Sequence, residues 1–293
     1  MDQIKQFYYQ GSHQKVIDSV DTSSLETEQD RIGFIYSTRS HLALRRSSPY
    51  LHPGSIESHV EMKVLDAYTK YTTGAEQTES LDVLRDCLIE LESEEHPLKN
   101  LLSVLAASVF WQSGEVEEAL STLSAGQGVK DVECVALLIQ IYITMNRFDL
   151  AKNEYQHART WADDHYLIQL SEAWLGLAGA STSTNVGYEQ AYYILEELPD
   201  RDEPNNRLLR ALAHAALGHF DEAQVELESL SLDDELTLAN AVVVSTHLKK
   251  TDEARGLLEK LRSVNPSHPL IRSLDEKNSE FDSLASQFVG FSG

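Results

Sequence analysis

Along most of the chain, apolar positions recur at three- and four-residue spacing, the period of helices that bury one face. Between those helices a turn of one repeated form returns. A small residue or Asn, a variable position, usually an apolar or aromatic residue, two positions that are polar except at Leu150, and then Ala occur at Gly114 to Ala119, Asn146 to Ala151 and Gly218 to Ala223. Looser copies end at Ala191 and Ala254, so successive alanines are separated by 32, 40, 32 and 31 residues. Self-similarity at that period predicts serial helical hairpins, none of which can bury its apolar stripe alone.

The period lies close to the ~34 residues of tetratricopeptide-like repeats. The predicted fold is therefore all-α, a tetratricopeptide-like helical-hairpin solenoid wound as a curved right-handed superhelix. Small residues are required where two helices cross closely, and Ala107, Ala119, Ala136, Ala151, Ala211, Ala223 and Ala254 are expected at those crossings. Large residues fill the wider gaps. Phe110 and Leu123 stand where this repeat class puts an aromatic on its first helix and a bulky apolar residue on its second, and Tyr142 and Tyr155, followed by Ala158, hold the same places one unit later.

A single solenoid over residues 1–293 is expected, with no linker that would separate domains. Residues 1–97 read as divergent N-terminal repeats. There Ile4, Phe7 and Tyr8 precede a Gly11-Ser12 turn, and Val16, Ile17 and Val20 follow it. An irregular loop is expected over 45–57, where Ser47, Ser48, Pro49, Pro53 and Gly54 break the helical period. Leu81, Leu84, Leu88 and Leu91 then form one face of an amphipathic helix. Regular repeats run over 98–266, with an insertion near 179–187. Gly176, Gly179 and the Ser/Thr run that follows are expected to extend a helix-to-helix loop there. Residues 267–293 read as a capping helix, marked by Leu270, Ile271, Leu274, Phe281 and Leu284, and a tail.

Charge narrows the partners. With 47 acidic against 24 basic residues the formal net charge is −23. That surface repels nucleic-acid backbones and anionic lipid and favours basic protein surfaces. Cys87 and Cys134 belong to no closely spaced ligand pair and lie in apolar periodic segments, so both are expected as buried, reduced thiols. Met1 to Tyr9 lacks the apolar stretch of a signal peptide, and no run reaches transmembrane length. A cytoplasmic protein without direct membrane insertion is expected.

No constellation for catalysis stands out. The carboxylates of Glu92, Glu94, Glu95, Glu115, Glu117 and Glu118 fall in helix or turn text that reads as a solvated face. His157, His165 and His214 are scattered among repeat helices. Ser108 and Ser121 have no nucleophile-elbow context. Gly126 and Gly128 lack the strand of a dinucleotide loop, and no zinc or calcium pattern occurs. Trp111, Trp161 and Trp174 read as packing residues. No enzyme activity, cofactor, metal or small-molecule substrate is expected.

Four unlike passages, in order along the chain, carry a resemblance: Phe7-Tyr8-Tyr9-Gln10-Gly11, Asn146-Arg147-Phe148-Asp149-Leu150-Ala151-Lys152, Gln190-Ala191-Tyr192-Tyr193-Ile194-Leu195 and Ser267-His268-Pro269-Leu270-Ile271. The last precedes an acidic helix that carries Phe281-Asp282-Ser283-Leu284. Together they resemble the coatomer epsilon subunit family. That resemblance implies a noncatalytic component of the COPI coat, cradling the C-terminal domain of the alpha coatomer subunit within assembled coatomer. It further implies a role in retrograde Golgi-to-ER and intra-Golgi transport, with attachment to Golgi and vesicle membranes through the coat. The Ser/Thr-rich insertion and the Pro/Ser/Gly-rich front loop depart from the family's pattern.

First helices of such repeats line the concave surface. Repeat geometry therefore nominates Val104, Ser108, Trp111, Gln140, Thr144, Leu208, Leu212, Val243 and His247 as partner-binding residues. A generic peptide-binding adaptor or cochaperone is the competing reading. Its carboxylate clamp would need convergent Lys or Arg on first helices, where Asn100 and Gln140 stand instead.

Overall fold

The computed structural model describes residues 2–22, 24–47, 59–93, 96–124, 126, 128–179, 186–199 and 202–287. Among them are sixteen α-helices and no strand. In chain order they are α1 (Asp2–Tyr9), α2 (His13–Ser19), α3 (Glu28–Ala43), α4 (Val60–Thr72), α5 (Gln77–Ser93), α6 (Lys99–Ser113), α7 (Val116–Thr122) and α8 (Val132–Thr144). There follow α9 (Phe148–Ala162), α10 (Tyr166–Leu177), α11 (Val186–Glu197), α12 (Pro204–Ala216), α13 (Phe220–Glu228), α14 (Glu235–His247), α15 (Thr251–Val264) and α16 (Pro269–Gln287). The chain divides into two compact units, Met1–Glu203 and Pro204–Gly293.

The repeated turn has a backbone cause. Gly114, Asn146, Gly218 and Lys249, each just past the first helix of a hairpin, all have positive φ, at 91°, 57°, 81° and 62°. Glycine and asparagine tolerate that left-handed conformation and close the helix with a reversed hydrogen bond, as Glu115 N–H does to the Phe110 carbonyl at 2.8 Å. Lys249 adopts it against its steric preference, which accounts for the weaker signature before Ala254. Other starts are fixed by side chains. Thr27 and Asp30 form a reciprocal capping box on α3, and Asp131 and Asp234 accept backbone N–H groups at the starts of α8 and α14.

In the first unit α4/α5, α6/α7, α8/α9 and α10/α11 are hairpins, and the first helices α4, α6, α8 and α10 lie side by side in that order. One apolar core runs through them, with Phe110 and Leu123 fully buried and Tyr142, Tyr155 and Ala158 also inside. Every alanine nominated for a crossing is buried. In the second unit α12/α13 and α14/α15 repeat the hairpin, with cores around Ala211, Ala223 and Val244 and around Leu238, Leu261 and Ile271. Both thiols are free and buried. Burial pushes Cys87 up to about 11 and raises Cys134 further, so neither is a reactive thiolate.

Three details depart from the sequence reading. Gly176 is not in a loop: it lies in α10, where glycine is needed because a Cβ would stand 2.5 Å from the Gly187 carbonyl oxygen and 3.1 Å from the Ala191 Cβ. Gly176→Ala is expected to force α10 and α11 apart and destabilise the first unit by about 1–3 kcal/mol, measured by urea unfolding. Second, α1 is not simply the next layer of the row, since it packs against α3 and α10. Third, α16 caps with its first turn alone, where Ile271 is the single buried side chain. Most of the front loop (48–57), most of the insertion (180–185) and the tail from 288 onward lie outside the described residues.

Candidate protein-binding surface

Three first helices of the leading unit, α4, α8 and α10, meet α1 or α3 at their N-terminal ends. Glu61, in the first turn of α4, receives the Arg31 guanidinium of α3. Glu133, in the first turn of α8, is the center of a larger cluster. Arg39 of α3 donates to its Oε2 at 2.9 Å, Tyr9 of α1 donates to Oε1 at 2.7 Å, and Tyr36 donates to the same oxygen. The Tyr9 ring also meets the ring of His165, the N-cap of α10, at 5.7 Å. Farther along, Ser12 and Lys15 of α2 both reach Glu203.

This cluster is largely buried and charged. Arg39 Nε is buried without a hydrogen-bond partner among the described residues, and its guanidinium lies 4.4 Å from the center of the Tyr8 ring and 5.3 Å from that of Tyr36. Burial alone would raise the Glu133 carboxyl, but the Arg39 charge and the three hydrogen bonds outweigh it and hold Glu133 below the ordinary carboxylate range. Burial pushes Tyr8 up to about 12 and Tyr9 and Tyr36 higher still, so all three phenols stay protonated and Tyr9 and Tyr36 serve as donors to Glu133. His165 and His13 are pushed down, again chiefly by burial.

Because α1 and α3 meet the N-terminal ends of α4, α8 and α10, the row's accessible part lies toward the other ends. Ser108, Trp111, Gln140 and Thr144 stand there, about 10 Å along α8 from Glu133 in the case of Gln140. Ser108 and Thr144 donate to their own helices at Leu105 O and Ile141 O, both at 2.7 Å. Trp111 is half-buried, one side of its ring against the core. Val104 lies in the core instead, 5 % exposed. In the second unit Leu208 and Leu212 are half-buried on α12, Val243 is 40 % exposed, and the exposed His247 ring stacks on Phe220 at 4.3 Å and 7°. Phe220 and the exposed Met145 extend the nominated set, and both were legible as the apolar residue of the turn or its neighbor.

Among the described residues no three His, Cys, Asp or Glu side chains are grouped to hold a metal ion. A cleft of about 400 Å³ among α5, α6 and α7 is lined by Arg85, Leu88, Ile89, Lys99 and Ser103 among others, and among the described residues by no histidine or cysteine. Arg85 is committed to Glu115 and Glu118. Among the described residues no helix is long and apolar enough to cross a membrane.

The profile described as Coatomer epsilon subunit matches residues 2–289. The chain belongs to the coatomer epsilon subunit family. It is 25% identical over 294 residues to coatomer subunit epsilon-1 of Arabidopsis thaliana, covering 98% of this chain and 96% of the relative. To coatomer subunit epsilon of Caenorhabditis elegans it is 26% identical over 294 residues, with 97% and 96% covered. A tetratricopeptide repeat protein from Parabacteroides merdae ATCC 43184 superposes with a TM-score of 0.58 at 15% identity, over 91% of this chain and 97% of that one, a likeness of fold.

As a member of the epsilon family the chain is a coat component, and the four passages that carried the resemblance have structural places. Phe7 to Gly11 ends α1 and delivers Tyr8 and Tyr9 to the Glu133 cluster. Asn146 to Lys152 forms the positive-φ turn and the start of α9. Gln190 to Leu195 lies in α11, where Gln190 donates to Glu172 and Ala191 is buried. Ser267 to Ile271 starts α16, with Leu270 N–H donating to His268 Nδ1 at 3.2 Å.

Proposed function

We propose that this chain is a noncatalytic structural subunit of the COPI coat that binds the C-terminal domain of the alpha coatomer subunit. In that role it supports retrograde Golgi-to-ER and intra-Golgi vesicle transport. It works from the cytoplasm, held on Golgi and vesicle membranes through the assembled coat and not by its own insertion. The observation that carries the reading is family membership along essentially the whole chain. A row of first helices whose far ends stay accessible supports it, as does the acidic surface, which turns away nucleic acid and anionic lipid. The subunit needs no cofactor and takes no small-molecule substrate.

The partner-facing residues in this proposal are Ser108, Trp111, Gln140, Thr144, Leu208, Leu212, Val243 and His247. Val104 acts from beneath them by setting the spacing of α6 and its neighbors. Trp111 and Leu212 are the apolar anchors, since half-buried apolar side chains bring contact area without much ordering on binding. Trp111→Ala with Leu212→Ala is expected to weaken calorimetric binding of the alpha C-terminal domain by about 2 kcal/mol or more, with helicity unchanged. Unaltered affinity would remove both residues from the interface. Failure of the unsubstituted chain to bind that domain would sink the assignment itself.

A further inference from the structure

The last helix is longer than its support. Leu270 and Ile271 of α16 pack on Leu238 and Leu261, and both terminal guanidinium nitrogens of Arg262 donate to Asp275 at 2.8 Å. Beyond Asp275 the attachment ends. Among the described residues, 276–287 make side-chain hydrogen bonds and ion pairs only within the helix, Lys277 with Glu280 and Ser286 with the Ser283 carbonyl, and every one is exposed. Leu274, Phe281 and Leu284 form a stripe at seven- and three-residue spacing, 37%, 70% and 50% exposed. Twelve helical residues with no neighbor among the described residues are only marginally stable in water, and a stripe of that spacing suits pairing with another helix.

We propose that this projecting part of α16 is the docking face for a basic, amphipathic helix of a partner protein. The stripe supplies the apolar seam, and its flanks supply the selection. Residues 276–287 carry Glu276, Glu280 and Asp282 against Lys277 alone, on a chain of net charge −23. Pairing with a second copy would set acidic flank against acidic flank, and an anionic bilayer is repelled in the same way. A helix with leucines on one face and lysines around it meets both requirements. This surface is separate from the first-helix residues proposed to hold the alpha subunit, and it stands or falls independently of them.

The test uses the full chain at about 0.15 M salt, where the Debye length of about 8 Å screens the long-range attraction between net charges. The probe is an 18-residue leucine–lysine helix-forming peptide, with its leucine–glutamate counterpart as control. In the free chain, amides 276–287 are expected to exchange rapidly and the lysine peptide to slow them on binding one to one. Phe281→Ser with Leu284→Ser, at exposed positions, is expected to weaken that binding about tenfold or more. Strong protection of 276–287 without peptide, no binding, or equal binding by the double variant overturns the proposal. So does stronger binding of the glutamate peptide, or a Phe281-dependent self-association or adsorption to phosphatidylserine vesicles that replaces peptide binding.

Discussion

Glu133→Ala is expected to destabilize the first unit by about 3–5 kcal/mol, because it leaves the buried Arg39 guanidinium without its counter-charge and Tyr9 and Tyr36 without an acceptor. The loss should fall on the docking of α1 and α3, the helices that contribute those groups. Hydrogen exchange of α1 amides should accelerate more than that of the α6 core. Pairing Glu133→Leu with Arg39→Met removes both charges and should recover much of the loss, so the two substitutions are strongly non-additive. The pH dependence has a definite sign. Since the folded-state value of Glu133 is depressed, its stabilization is fully present above about pH 4.5 and is lost as pH falls through that depressed value. The alanine variant lacks this part of the acid-side decline. Urea unfolding at pH 7 and pH 4 measures both effects, and superimposable curves for variant and parent would refute the role given to Glu133.

That cluster also marks the boundary of what the sequence discloses. The hairpins were legible because their determinants are local: a residue of positive φ at the turn, an alanine five positions after it, and an aromatic four residues before it in Phe110 and Tyr142. Each acts within one repeat and is then repeated. Tyr9, Tyr36, Arg39 and Glu133 come together across separations of 94 to 124 residues, and no spacing rule links them. The buried Glu133 sits in the first turn of a strongly apolar helix, where a carboxylate reads as an ordinary favorable charge at a helix start. Gly176 was misplaced for the opposite reason. Its neighborhood is rich in small polar residues, and the crossing with Gly187 that demands a glycine is visible only in three dimensions. For the proposed binding surface, helix register alone placed Ser108, Trp111, Gln140 and Thr144 away from the core's center. It did not separate Val104, which is buried in the apolar core.

Phe110→Ala tests the serial core in the same quantitative way. Phe110 is fully buried and belongs to the apolar core shared by α4, α6 and α8, while its ring also lies 5.7 Å from the Arg85 guanidinium. Truncation removes the ring and leaves a cavity that neighboring helices, tied on both sides to further hairpins, can only partly close. A loss of about 3–5 kcal/mol is expected. In a row of hairpins each layer is stabilized by its neighbors, so the defect should spread as weakened coupling on either side of α6. Hydrogen exchange should therefore rise in α4 through α9 and stay near its original rate in α14 and α15, which share no core with Phe110. Uniform acceleration along the entire chain would instead mean that the two units unfold as one cooperative block. A loss confined to α6 and α7 would mean that the hairpins are each stable alone, contrary to the premise that none buries its apolar face unaided.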